Sequence, residues 1–299
     1  MNKHLLLTLL LSTFFSSNLL AEQLKVASWN IAWLSSHEYN KRTDKDYQEL
    51  SKYAKRLDAD VIALQEVEDA TWAKKVFGND YEYFFSTKDW VQRVGFAVRK
   101  SSGFTSNVNE YQALDVGRVR YGMDLHLLKG STQIRLLAVH LKSGCFDKPL
   151  DTASVESMPE SSKRDKKEKR ACLKLSNQIK PLETWVDERA KENLPFIVLG
   201  DFNRRFAIDI EKKHDESEGL WQAIDDELTE DMWSPTLTKN SKCWGGYYKD
   251  FIDHIVLNPI ARANYVANSF EQLIFDGQYT RELSQSLSDH CPISIRINL

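Results

Sequence analysis

The sequence has 299 residues, 40 of them Lys or Arg and 43 Asp or Glu, giving a formal net charge of −3 at pH 7. That balance argues against a protein that grips nucleic acid through a broad basic surface, although a metal ion and local arginines can still serve a polyanion. Cys145, Cys172, Cys243 and Cys291 form no C-x-x-C pair, which argues against a zinc site.

The first stretch reads as a signal peptide over residues 1–21. Met1-Asn2-Lys3-His4 is a short basic start, Leu5 to Leu20 is apolar, and Ala21 precedes an abrupt change to Glu22-Gln23. The apolar run is short and broken by Thr13, Ser16, Ser17 and Asn18, which speaks against a membrane anchor. No cysteine follows it that could carry a lipid. An exported protein, periplasmic or extracellular, is expected, with cleavage after Ala21 and one domain over residues 22–299. No later segment is apolar enough to span a bilayer. In such a compartment an even, widely spaced set of cysteines suggests disulfides.

Short runs rich in Val, Ile and Leu then follow one another as buried strands: Leu24–Ile31, Val61–Leu64, Gly95–Arg99, Met123–Leu128, Ile134–Leu141, Phe196–Leu199, Phe251–Leu257 and Ile293–Ile297. Helical patterns lie between them, notably over Asp44–Leu57 and Arg170–Arg189; in the second, Leu173, Ile179, Leu182 and Val186 fall close to one face. Strands interleaved with helices and hairpins imply a mixed sheet system covered by helices. Asp151 to Lys169 reads as the least ordered stretch, either a solvated loop running into a helix or a basic patch facing a substrate. Cys145 lies just past one strand and Cys172 at the start of the following helix, so a Cys145–Cys172 bridge is expected to close that stretch. Cys243–Cys291 is the second expected pair, with a buried free thiol at Cys291 as the alternative.

The polar residues fall at strand ends. Asn30 and Glu66 end the first two strands, His140 sits late in a third, and Asp201 and Asn203 follow a fourth. Asp253 and His254 interrupt an apolar run, and Asp289-His290 precede the last strand. Taken singly, a strand-end Asn or Asp is more often a turn former than a ligand. Together, hard oxygen donors with histidines are what metal-assisted phosphate chemistry requires, the carboxylates holding a divalent ion and an imidazole moving protons.

The ordered words Ser-Trp-Asn, Gln-Glu-Val, Val-His-Leu-Lys-Ser, Gly-Asp-Phe-Asn, Ile-Asp-His-Ile and Ser-Asp-His resemble the endonuclease/exonuclease/phosphatase superfamily from about Leu24 to Ile297. The resemblance implies an α+β fold, a four-layered α/β/β/α sandwich of two packed mixed sheets flanked by helices. It also implies a secreted bacterial member like deoxyribonuclease I, hydrolysing phosphodiesters with Mg²⁺ or, alternatively, Mn²⁺ or Ca²⁺. Carried over residue by residue, Glu66 with Asn30 is similar to the metal ligand, and Asp289 to a contributor to a second metal position. Asp201 is similar to the group that orients or deprotonates the attacking water, and Asn203 to its phosphate-touching neighbour. His290 resembles the essential histidine, Asp253 the carboxylate that supports it, and His140 the histidine that donates to phosphate or to the leaving oxygen. Arg118, with Arg120 as the alternative, resembles a phosphate-binding arginine, and Arg204 lies in substrate-binding position after Asn203. Gln92 stands where the family's deoxyribonucleases have a glutamate beside the first histidine, and a neutral amide cannot support a charged imidazole as a carboxylate does. His254 reads as structural.

A nucleic acid is the expected partner of a monomeric enzyme, with Arg42, Arg118, Arg204 and Arg205 available to it. The alternatives are a sphingomyelinase, for which Trp244-Gly245-Gly246-Tyr247-Tyr248 is the one candidate membrane segment, and an inositol-phosphate phosphodiesterase or phosphatase. A catalytically inactive binding module would be expected to have lost Glu66, Asp201 or His290, and all are present.

Overall fold

The computed structural model describes residues 22–37, 41–226 and 231–299, and the expected signal peptide lies outside the described residues. Among the described residues eleven strands run in chain order as β1 (Gln23–Leu34), β2 (Val61–Val67), β3 (Tyr81–Phe85), β4 (Arg93–Arg99), β5 (Thr105–Tyr111), β6 (Gly122–Lys129), β7 (Thr132–His140), β8 (Phe196–Asp201), β9 (Asp253–Leu257), β10 (Glu271–Gln272) and β11 (Ile293–Asn298). They form one sheet in the order β10-β11-β1-β2-β4-β3 and a second in the order β5-β6-β7-β8-β9. Each sheet contains one parallel pair, β1 with β2 and β7 with β8, among antiparallel neighbours.

The strand sequences explain the layering. In β1, Leu24 and Val26 face the second sheet while Ala27, Trp29 and Ile31 face outward onto α1 (Asp44–Leu57) and α2 (Ala70–Phe77). In β7, Leu136 and Ala138 face the first sheet, and Leu137 and Val139 pack with Cys172, Leu175, Leu182 and Trp185 outside it. Strands covered on both faces must be apolar on both, which is why they read as continuous hydrophobic runs. The result is the expected four-layered α/β/β/α sandwich.

The three strands not expected from the sequence are β3, β5 and β10. Strand β5 is an edge strand with alternating exposure and Val108 as its one aliphatic residue, so it carries little hydrophobic signal. The stretch expected to be a loop before Arg170 is instead helical: α3 spans Thr152–Ser157 and α4 runs from Lys163 to Ala190. Ser162 caps α4 by accepting from the Asp165 amide at 3.0 Å, while the Asp165 carboxylate accepts from the Ser162 amide at 2.9 Å. The basic run is therefore the solvated first turns of a capped helix.

Both expected disulfides form, Cys145–Cys172 and Cys243–Cys291. The first ties the turn after β7 to α4, and the second ties the segment before β11 to the Cys243 loop. Among the described residues no helix is long and apolar enough to cross a membrane.

Candidate active site

The two parallel pairs end at one rim of the sandwich, and the chemistry-bearing residues lie on those ends. His140 and Asp201 are register partners at the ends of β7 and β8, and Asp253 opens β9 opposite Asp201. Asn30 and Glu66 sit near the ends of β1 and β2, where both ladders shift register. Ala32, Trp33 and Glu66 there have φ of 49°, 57° and 61°, and Asn203 just past β8 has 51°. Such bulges re-aim side chains, and left-handed non-glycine residues cost of order 1 kcal/mol or more each, so they persist where packing over-determines them. Gly200 is required next to Asp201: a Cβ there would sit 2.0 Å from the Val139 carbonyl oxygen.

These strand ends bring the side chains within a few ångströms. Asn30 Nδ2 lies 3.0 Å from Asp201 Oδ2 and 3.5 Å from Glu66 Oε1, and the Trp33 amide donates to Glu66 Oε2 at 3.2 Å. His140 Nε2 faces both carboxylates, 3.4 Å from Asp201 Oδ2 and 3.7 Å from Glu66 Oε1. Across the site, His290 Nδ1 bonds Asp253 Oδ2 at 2.7 Å and turns Nε2 toward Asp201 Oδ2 at 3.9 Å. Asp289 Oδ1 lies 3.9 Å from the same Nε2.

Electrostatics separates the two histidines. Burial, with Arg120, His290 and Lys142 nearby, holds His140 well below the ordinary imidazole value, so it is neutral. Burial acts the same way on His290, but Asp253, Asp289 and Asp201 outweigh it and raise His290 well above that value. Burial also raises the Glu66 carboxyl, opposed chiefly by the Arg120 guanidinium, and raises the Asp201 carboxyl, opposed chiefly by His290. Burial leaves both carboxyls raised even with the Arg120 guanidinium and His290 beside them, so a further cation would be stabilised there. The donors are hard oxygens and imidazole, every cysteine is in a disulfide, and the buried Asp253 Oδ1 has no hydrogen-bond partner. Such a set fits a hard divalent cation better than zinc. Among the described residues, Asp201, Asp253 and His290 offer ligand atoms within 4.8 Å of one another. Because His290 and Asp253 already bond each other, that trio is better suited to proton transfer, which leaves Glu66, with Asp289 close enough to raise it, as the carboxylate that could hold an ion.

Several sequence expectations change in detail. Asn30 is at the site: its Oδ1 accepts from the Ala32 amide at 3.1 Å, and its nitrogen spans the Asp201 and Glu66 carboxylates. Asn203 Nδ2 donates to the Leu141 carbonyl at 3.1 Å, which holds the chain after His140 against β8 and leaves the second N–H of that amide for another acceptor. Arg118 is exposed on a turn outside the cluster. Arg120, the alternative, is the arginine that reaches it, donating to Leu141 and to Gln92 Oε1 and facing Glu66. Arg204 is corrected outright: it is fully buried, paired with Asp209 and bonded to the Cys145 and Lys148 carbonyls, so it supports the fold and cannot meet substrate. Arg42 is likewise buried on the backbone carbonyls of Ile31, Ala32 and Leu287. Gln92 bonds Arg120 and also meets Glu66, while His140 Nδ1 is buried without a partner, so Gln92 tunes the carboxylate side of the site. His254 is structural, bonded by Thr236 Oγ1 and to the Arg204 carbonyl. The sequence reading assigned no role to Lys142, whose ammonium burial and neighbouring cations bring down to about 8. Its place directly after the strand-end His140-Leu141 was the available signal.

No family model matches the sequence, and no curated protein matches it. Solved structures do share its fold. TDP2 of D. rerio, complexed with single strand DNA product, is 18% identical and covers 93% of this chain and 99% of its own, with a TM-score of 0.55. The endonuclease/exonuclease/phosphatase from Bacteroides vulgatus is 13% identical over 93% of this chain and 99% of its own, with a TM-score of 0.58. The human Nocturnin catalytic domain with bound sulfate anion is 14% identical over 92% and 95%, with a TM-score of 0.53. At these identities the likeness is one of fold: this chain has the α/β/β/α sandwich found in the endonuclease/exonuclease/phosphatase proteins.

Proposed function

We propose that this protein is an exported, divalent-metal-dependent phosphodiester hydrolase, a nuclease of the deoxyribonuclease I-like type acting as a monomer. The observation that carries the reading is the line Asp253–His290–Asp201, facing Glu66 and His140 across one rim. An ion held by Glu66, with Asn30 beside it and Asp289 available for a second position, would offset phosphate charge during attack.

The chain's own residues supply the rest. Asp201 Oδ2 and His290 Nε2 face the same space at 3.9 Å, so a water between them is within reach of both. Asp201 accepts the proton of that water, and the His290 imidazolium, held by Asp253, orients it and offsets developing negative charge. As the water oxygen bonds to phosphorus the ester P–O bond breaks and the leaving oxygen takes its proton from solvent, while neutral His140 contributes a hydrogen-bond donor. Arg120 supplies positive charge beside Glu66, and Lys142, brought down to about 8, adds its charge below that pH.

Export is supported by the apolar, Ala-terminated leader in the sequence and by two disulfides, which persist in oxidising compartments. Nucleic acid is supported by the fold shared with TDP2, one structure of which is complexed with single strand DNA product. The sphingomyelinase alternative is weakened because Trp244, the most apolar ring of its candidate membrane segment, is buried. The test is hydrolysis of supercoiled plasmid and oligonucleotides with Mg²⁺, beside sphingomyelin and an inositol polyphosphate. Turnover of the lipid or the inositol phosphate alone would overturn the nuclease reading.

A further inference from the structure

The loop Lys242–Tyr248 turns on successive left-handed residues, Trp244 (φ 52°), Gly245 (φ 68°) and Gly246 (φ 81°), which send Trp244 inward and the tyrosines outward. Tyr247 stacks on Tyr279 with centroids 4.2 Å apart and planes 12° from parallel, and Tyr248 meets both edge-on. Tyr279 in turn packs against Trp244 in the core, so the inner ring is fixed while Tyr247 is 62% exposed. Exposed Lys242 and Lys249 bracket the tyrosines in sequence, one on each side of the loop. The loop is fastened to the segment that carries His290: Cys243 is bridged to Cys291, and Trp244 Nε1 donates to the Ser288 carbonyl at 3.0 Å. Tyr248 also feels the Asp289 carboxylate.

We propose that the outer face of Tyr247, backed by Tyr279 and bracketed in sequence by Lys242 and Lys249, is a stacking platform for an unpaired base next to the scissile phosphate, so that the enzyme prefers single-stranded nucleic acid. This rests on the nuclease reading above and adds the substrate class. A rigid, exposed ring on a loop with lysines is the combination that binds single strands without sequence preference, because every base has a π-face and the cations follow the backbone. A base in a duplex is already stacked on both sides and cannot use it. A membrane surface is the less favoured occupant, since these rings lie stacked upon one another and carry hydroxyl groups.

The experiment compares wild type, Tyr247→Ala and Tyr247→Phe in Mg²⁺ on a single-stranded oligonucleotide, its duplex and bis(p-nitrophenyl) phosphate. Tyr247→Ala is expected to raise KM for the single strand by roughly tenfold, the loss of one base–aromatic stack, with kcat changed by less than about twofold. Tyr247→Phe should restore KM, and KM for the duplex should not follow the single strand. An unchanged single-strand KM, or an equal rise on the duplex, would overturn the proposal. So would a loss of binding to sphingomyelin vesicles with oligonucleotide KM intact. Failure of wild type on all three substrates would instead sink the nuclease reading. In that event, anisotropy of a labelled single strand in EDTA still decides the platform: binding that is equal for wild type and Tyr247→Ala overturns it.

Discussion

The His290 imidazole is pinned by Asp253, Nδ1 to Oδ2 at 2.7 Å, although Asp253 opens β9 and His290 lies in the segment before β11. His290→Ala is expected to lower kcat by on the order of 10²–10⁴, as for loss of an acid/base group. Asp253→Asn should cost less. Asp253 is among the carboxylates that raise His290, so in the Asn variant the imidazole loses its proton at lower pH, and the alkaline limb of the kcat profile should move down. A correctly folded His290→Ala protein with wild-type turnover would refute the assignment.

Exhaustive EDTA treatment should abolish hydrolysis, and Mg²⁺ should restore it. Glu66→Gln removes a carboxylate facing the ion position and should weaken Mg²⁺ binding by more than the roughly 10–100-fold typical of an outer partner. Calorimetric titration with Mg²⁺ checks this apart from turnover. Full activity after EDTA would remove the metal from the mechanism.

Arg120 and Arg118 should behave differently. Arg120 faces Glu66 and bonds Gln92, so Arg120→Ala should cost roughly 10–100-fold in kcat/KM, the scale of a hydrogen bond to a charged group. Arg118 is exposed, and Arg118→Ala should change kcat/KM by no more than about twofold. Equal losses would return Arg118 to the site.

Arg204→Ala is a stability variant. It leaves Asp209 buried without its ion-pair partner, which typically costs about 3–5 kcal/mol. Urea unfolding measures it; a loss below about 1 kcal/mol would mean that Arg204 is not the structural tie it appears in the fold.

Burial pushes the His254 imidazole from 6.5 down to about 3, so the folded protein holds it neutral. Its folded value is depressed below the unfolded one, so the unfolded chain binds the proton more readily. The contribution to stability is complete above pH 6.5 and is lost as pH falls toward 3, by at most about 1.4 kcal/mol per pH unit. His140 is shifted in the same direction and leaves a residual slope. His254→Asn should therefore flatten, without abolishing, the fall in unfolding free energy between about pH 6 and pH 4. An unchanged slope would contradict a neutral buried His254.

What the sequence determined by itself was the order of buried strands, the helix Asp44–Leu57 and the Cys145–Cys172 pairing, and its strand-end polar residues singled out Glu66, His140, Asp201, Asp253 and His290 as candidates. Each is written locally: strands buried on both faces are continuously apolar, and a polar residue ending such a strand needs no tertiary information to be noticed. Edge strand β5 was invisible for the converse reason, since half of its side chains meet water. Only the tertiary structure decided which basic residues belong to the site. Arg118, Arg120 and Arg204 are alike as letters, yet one lies on a turn, one reaches Glu66, and one is closed inside an ion pair with Asp209. Where a long side chain ends depends on the layers packed around its backbone. The same holds for Asn30, whose oxygen is claimed by the Ala32 amide through a bulge that no spacing rule encodes.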